Sequence, residues 1–192
     1  MYEILIYSSS FVVEQIMIHY KYMNTPDYKK ATDTALMLLK SFEIRGPVIP
    51  VDEIAQREGI AIQYFRPDHD KKLEKVSGFF DPDSKTIYVN SADTPTRQLF
   101  TIAHELGHFE LQHNPSQFDV LYRFATPIDK EPVEQEANCF AANLLVPEEM
   151  LAKIMKKYNL TANDFQTLAD LFGVSAEVMK YRLRWILNAN NF

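Results

Sequence analysis

The chain is short of several features that would assign it to a class at once. It has one cysteine, Cys139, so no internal disulfide framework can form and a reducing compartment suits it. It lacks a surplus of basic charge. The formal net charge is -6, which argues against nucleic acid as the main partner. It contains only 5 glycines and neither an internal repeat nor a low-complexity tract. No uninterrupted apolar run approaches the ~20 residues that crossing a bilayer requires. The apolar N-terminus, MYEILIYSSSFVVEQIMIHYKYM, has no basic leader region and carries Glu3 and Glu14. Neither a secretion signal nor a membrane contact is expected, and the expected location is cytoplasmic. Val12, Val13, Ile16, Met17 and Tyr20 recur there at helical spacing, which reads as extra core, with a partner contact as the alternative.

What is present is ordinary globular material: 46% hydrophobic and 24% charged residues in a chain of 192. That suits one domain with a real core, or one domain with a small appendage. Residues 31–42 (ATDTALMLLKSF) have helical periodicity, Pro47 and Pro50 break the chain, and VDEIAQREG is a short helix stopped by Gly59. IAIQYF reads as a strand. VSGFFDPDSKTIYVN reads as a hairpin turning through Asp81, Pro82, Asp83 and Ser84. Thr94-Pro95 opens a helix, with proline at its first position, that runs to about Gln112. Residues 114–130 form a long loop, EPVEQEANCFAANLLVP a second helix ended by Pro147, and two or three shorter helices follow. This order predicts an α+β fold with a small antiparallel or mixed sheet, not a βαβ alternation.

The decisive stretch is TIAHELGHFEL. His104 and His108 stand i, i+4 on the predicted helix, so both rings leave one face a turn apart, as two imidazoles must to grip one Zn²⁺ at roughly 2.0–2.1 Å. Glu105 lies roughly 100° round from His104, where a carboxylate flanks the metal and can pass a proton from water to a leaving amine. Chance would produce His-Glu-x-x-His in about one such chain in a hundred. A third ligand is needed. His113 stands roughly 180° from His104 while the helix continues, and is expected as a helix-end surface residue. The all-histidine extension of the motif fails, because Leu111 occupies the glycine position and Asn114 the third-histidine position. The second predicted helix offers Glu131, Glu134 and Glu136. Glu134 shares a stripe with Ala137, Asn138 and Ala141, small enough for close approach to the histidine helix. Glu136 points roughly 200° away, so geometry favours Glu134 without eliminating Glu136. Asn138 is placed to hydrogen-bond a ligating histidine from behind and fix its tautomer.

RQLFTIAHELGHFELQH followed by EQEANCFAANLLVPEEM resembles the ImmA/IrrE family of zinc-dependent metallopeptidases, which pair an Ala-His-Glu-x-x-His helix with Glu-x-x-Ala-Asn-x-x-Ala-x-x-Leu-Leu-x-Pro. The resemblance runs from about Ala35 to the C-terminus and includes the GFFDPDSKTIYVN hairpin. One departure is mild: Val146 stands where methionine is common before the proline. The resemblance implies a zincin-like core, zinc held by His104, His108 and Glu134, and Glu105 as catalytic base. It also implies intracellular cleavage of a protein, typically a helix-turn-helix transcriptional repressor. The chain then divides into an N-terminal extension of unknown role (1–30), a zincin-like metallopeptidase domain (31–150) and a helical subdomain (151–192). In such peptidases an extended substrate pairs with a sheet edge, and Thr86, Ile87, Tyr88, Val89 and Asn90 form the candidate strand, an interior position fitting their pattern equally well. Tyr122 and Arg123, in the long loop, are candidate oxyanion donors, with plain loop packing as the alternative.

TANDFQTLADLFGVSAEVMKYRLRWIL also has the helix, glycine turn, helix order of a DNA-binding helix-turn-helix, with Thr161 and Asp164 as a capping box. The positions that would read bases are Ala176 and Glu177, and Arg182 faces away from Lys180 and Arg184. Direct DNA binding is therefore not expected, and the segment reads as a structural unit that could dock the repressor. The competing function is a metal-binding regulatory module that holds a repressor or DNA without proteolysis. Glu105 argues for the enzyme, since a structural zinc site has no use for a base. Nothing in the sequence specifies an oligomeric state.

Overall fold

A computed structural model describes residues 25–44, 46–67, 73–113 and 131–189. Helix α1 (Tyr28–Ser41) is followed by α2 (Val51–Arg57), strand β1 (Ala61–Phe65), a 3₁₀ turn (Leu73–Lys75), strands β2 (Gly78–Asp81) and β3 (Thr86–Asn90), and helix α3 (Pro95–Glu110). Helices α4 (Pro132–Leu145) and α5 (Glu148–Tyr158), a 3₁₀ turn (Ala162–Asp164), α6 (Phe165–Phe172) and α7 (Ala176–Ala189) complete it. The architecture is α+β with one three-stranded mixed sheet among the described residues. None of the described helices is long and apolar enough to cross a membrane.

The predicted hairpin forms. β2 and β3 run antiparallel, with Phe79 opposite Tyr88 and Phe80 opposite Ile87. Asp81 fastens the turn by accepting from Asp83 N–H and from the Ser84 hydroxyl, the local bonding that makes aspartate a turn residue. Of the two positions that the pattern of Thr86–Asn90 allowed, edge and interior, the strand takes the interior one. The sheet order is β1-β3-β2, with β1 laid parallel along the far side of β3, so Thr86–Asn90 is enclosed on both sides. Its burial agrees: of the five residues only Tyr88 is not fully buried. β1 pairs with β3 over the intervening β2, Ala61 beside Thr86, a non-local fact that a short β-branched run cannot announce.

One continuous core runs from Ala31 and Ala35 through Ile54, Ile87, Val89 and Leu106 to Phe140, Leu144, Leu168, Phe172 and Leu183. Helix α3 lies across β2 and β3 and packs along α4, which is covered on another side by α1. The C-terminal helices join this core. Thr161 and Asp164 form the expected capping box, Gly173 ends α6 in the left-handed region at φ 67, and the Ser175 hydroxyl accepts from Val178 N–H to start α7. Arg182 is buried, and its Nε–H donates to Val146 O at 2.9 Å.

Candidate metal centre

Helix α3 begins at Pro95, and every residue from Thr101 to His108 is buried. Polar side chains there need partners. Close approach of α4 supplies them. Gly107 faces Phe140, and a Cβ at Gly107 would stand 2.9 Å from Phe140 Cδ1, so the two helices sit nearer than side chains normally permit. Ala137 and Ala141 on α4 are fully buried. The closeness brings Glu134, in the first turn of α4, to the histidines: Oε2 lies 3.3 Å from His104 Nε2 and Oε1 lies 3.1 Å from His108 Nε2. The two Nε2 atoms are 2.8 Å apart.

These three donors form a group able to hold one metal ion. Ligands at about 2.0–2.1 Å around a tetrahedral ion stand about 3.3 Å from one another. The three separations here lie at or slightly inside that edge. Charge agrees with shape. Burial pushes the Glu105 carboxyl up to about 7, and the neighbouring Glu134 charge adds to the rise, while the His108 charge and the Phe80 backbone N–H oppose it. Desolvation alone would lower His108, but the hydrogen bond to Glu134 and the charges of Glu105, Glu134 and Glu136 hold it above its usual value. The donor set therefore favours a cation at its centre.

Both ring nitrogens that face away from this centre are engaged. His104 Nδ1 lies 2.8 Å from the Asn138 amide oxygen, an acceptor, so Nδ1–H donates to it and Nε2 is left directed at the centre between the three donors. Asn138 thus stands where the sequence placed it. His108 Nδ1 meets His113 Nδ1 at 2.9 Å, and His113 Nε2 meets Glu136 Oε2 at 3.0 Å. This corrects the expectation for His113, which is not a helix-end surface residue. The helix does not continue to it. Gln112 turns left-handed at φ 58, His113 N–H bonds back to His108 O, and Gln112 N–H bonds to Phe109 O, the double closure of a Schellman cap. That reversal folds the His113 ring onto His108, at 5.0 Å between centroids. Burial pushes His113 below its ordinary value, against the Glu136 hydrogen bond that would raise it.

Sequence reasoning weighed His113 and Glu136 only as third ligands and missed their place behind His108, and it missed the Phe80 backbone altogether. The available signal was a histidine five residues after a ligand, the offset at which a Schellman cap returns to its own helix. Glu136 is not one of the three converging donors. One of its oxygens takes His113, and the other accepts from Asp27 N–H at 2.7 Å. Thr86–Asn90 lie in the sheet beneath α3, and Tyr122 and Arg123 lie outside the described residues. An open pocket of about 440 Å³ borders His108 and is lined by Phe80, Pro82, Lys85, Phe109 and His113 among others.

The chain is similar to known metalloproteases. The chain is 36% identical over 110 residues to the radiation response metalloprotease IrrE of Deinococcus radiodurans, a match covering 55% of this chain and 33% of that protein. It is 28% identical over 123 residues to the metallopeptidase ImmA of Bacillus subtilis, covering 62% of this chain and 69% of that one. The chain thus spans about a third of the IrrE protein and about two thirds of ImmA. In fold it is similar to a solved Mycobacterium tuberculosis transcriptional regulator, with a TM-score of 0.59 at 20% identity over 85% of this chain and 48% of that one. Residues 55–184 match the Peptidase_M78 family, described as the IrrE N-terminal-like domain, and with both histidines and Glu134 inside that span the chain belongs to the ImmA/IrrE family of metallopeptidases.

Proposed function

We propose that the chain is a zinc-dependent endopeptidase acting inside the cell on a regulatory protein, of the helix-turn-helix repressor class that the family resemblance implies. One observation carries the reading. His104, His108 and Glu134 bring three buried donors together while Glu105, on the same helix, is buried beside them and outside the trio. A structural site usually closes its fourth position with protein and needs no base. Among the described residues three donors meet here. Two imidazoles and a carboxylate suit zinc, which when bound would lower the pKa of water and polarise a scissile carbonyl.

The chain's own residues supply the rest. His104 and His108 present Nε2, with Asn138 fixing the His104 ring. Glu105, hydrogen-bonded by Phe80 N–H and raised to about 7, is suited to take a proton near neutral pH and return it to the departing amine. With β3 enclosed, the sheet edge beside α3 is that of β2, and an extended substrate would lie along it. The pocket bordered by Phe80, Pro82 and Phe109 would receive an apolar side chain of that substrate. Residues 151–192 serve as a helical subdomain that contacts protein rather than DNA. Of the three cations on α7, Arg182 is buried against Val146, Lys180 sits 4.1 Å over the Phe165 ring, and Arg184 is exposed.

The test is incubation of wild type and Glu105→Gln with a candidate repressor, with zinc and with a chelator. Cleavage by the zinc-loaded wild type, slowed about 10²–10⁴-fold in the variant, is expected. Equal cleavage by both would sink the role of Glu105. No cleavage by either, despite bound zinc, would replace the enzyme with a module that holds its partner without cutting it.

A further inference from the structure

The two histidines of the centre are held in different ways. A ligating imidazole needs its other ring nitrogen engaged, or the ring can rotate and the proton can move to the ligating side. For His104 the partner is a side-chain amide, Asn138. For His108 it is another imidazole, which can itself donate or accept, so His113 specifies nothing unless its own proton is fixed. Glu136 fixes it. A carboxylate oxygen at 3.0 Å accepts from His113 Nε2–H, which leaves His113 Nδ1 as an acceptor, 2.9 Å from His108 Nδ1. The proton on His108 must then sit on Nδ1, and Nε2 turns its lone pair to the centre.

From this geometry we infer that His113 and Glu136 are positioning residues of the metal centre, acting in series to set the tautomer and ring orientation of His108. The inference rests on the reading of His104, His108 and Glu134 as metal ligands. It is built into the backbone as well as the side chains. The Schellman cap at Gln112 places residue 113 against residue 108, a contact that is ordinarily apolar and here is a hydrogen bond. Glu136 is steadied in turn by Asp27 N–H at the start of α1, so the line of support runs from α1 through α4 to the end of α3.

The test is zinc affinity by chelator competition, read beside the His108 ring protons in the NMR spectrum of the zinc-loaded protein. Wild type should show a downfield, slowly exchanging Nδ1–H on His108. His113→Phe, which fills the space without an acceptor, should lose that resonance and bind zinc about 10–100-fold more weakly. His113→Gln, which restores an acceptor, should recover part of both. Glu136→Leu should weaken zinc in the same direction, and the double variant His113→Phe/Glu136→Leu should lose no more than His113→Phe alone, as members of one series do. Unchanged affinity in His113→Phe, or additive losses in the double variant, would overturn the inference while leaving the metal site intact. So would a wild type without a protected Nδ1–H on His108, a result that needs no variant to fold. A wild type that binds no zinc would remove the metal reading itself, and the inference with it.

Discussion

At Glu105 burial and charge oppose each other. Its carboxyl is 2% exposed and is pushed from 4.5 up to about 7, chiefly by desolvation. A carboxyl raised on folding binds its proton more tightly in the folded state. Its contribution to stability is therefore fully present below about pH 4.5 and is lost as pH rises through about 7. The loss is on the order of 3 kcal/mol for the metal-free protein. Denaturant unfolding of chelated wild type and chelated Glu105→Gln should give curves whose difference widens in favour of the glutamine between those pH values. A difference that stays flat from pH 4.5 to 7.5 would show that Glu105 is not buried as a proton-binding group. The residues of this centre were legible in the sequence only where local geometry decides. His104 and His108 needed nothing beyond helical spacing, and Glu134 needed a small-residue stripe. The place of His113 was only half legible: the five-residue offset from His108 is in the sequence, but it acts only if Gln112 turns left-handed, and no glycine or asparagine there signals the reversal.

Between elements, the closeness of α3 and α4 sets whether Glu134 can reach the histidines. Gly107 is the contact that permits it. Alanine at that position would favour the helix by about 1 kcal/mol through propensity. Its Cβ would also press on the ring of Phe140, at 2.9, 3.2 and 3.3 Å from Cδ1, Cγ and Cβ, and Phe140 is fully buried with no room to yield. Overpacking of this kind costs about 1–3 kcal/mol, so the overlap should win. Gly107→Ala is expected to lower the melting temperature and to weaken zinc binding together, because the same displacement carries Glu134 outward. A raised melting temperature would mean the helices have slack that the geometry does not show. Helices and hairpin were readable from periodicity, capping and turn residues. Strand order was not, because nothing local in TIYVN distinguishes a strand paired once from one paired twice. The near-complete burial of β3 follows from β1 joining it on the side opposite β2.

For the whole molecule the question is whether the C-terminal helices stand apart from the helices that build the centre. The core argues that they do not. Leu168, Phe172 and Met179 are fully buried in the same cluster as Leu106 and Phe140. Arg182 of α7 bonds to the carbonyl of Val146 at the end of α4, and Trp185 of α7 meets Tyr28 of α1 edge-on at 4.9 Å. Tyr28 in turn donates to Gln135 on α4, and Lys30 of α1 donates to Leu111 O at the end of α3. Both ends of the described chain therefore brace α3 and α4. Trp185 is the single tryptophan, which makes this testable with one natural probe. Its fluorescence follows α7, while release of cobalt, substituted for zinc, follows the centre. Both signals should change in one transition on heating or in denaturant, as they do when a single core unfolds cooperatively. Leu168→Ala, which touches no ligand, removes buried volume worth about 2–5 kcal/mol, and should move both transitions down by the same amount. Two separated transitions, with the tryptophan signal lost first and the metal retained, would instead make residues 151–192 an independent unit and break the link from the C-terminal helices to the centre.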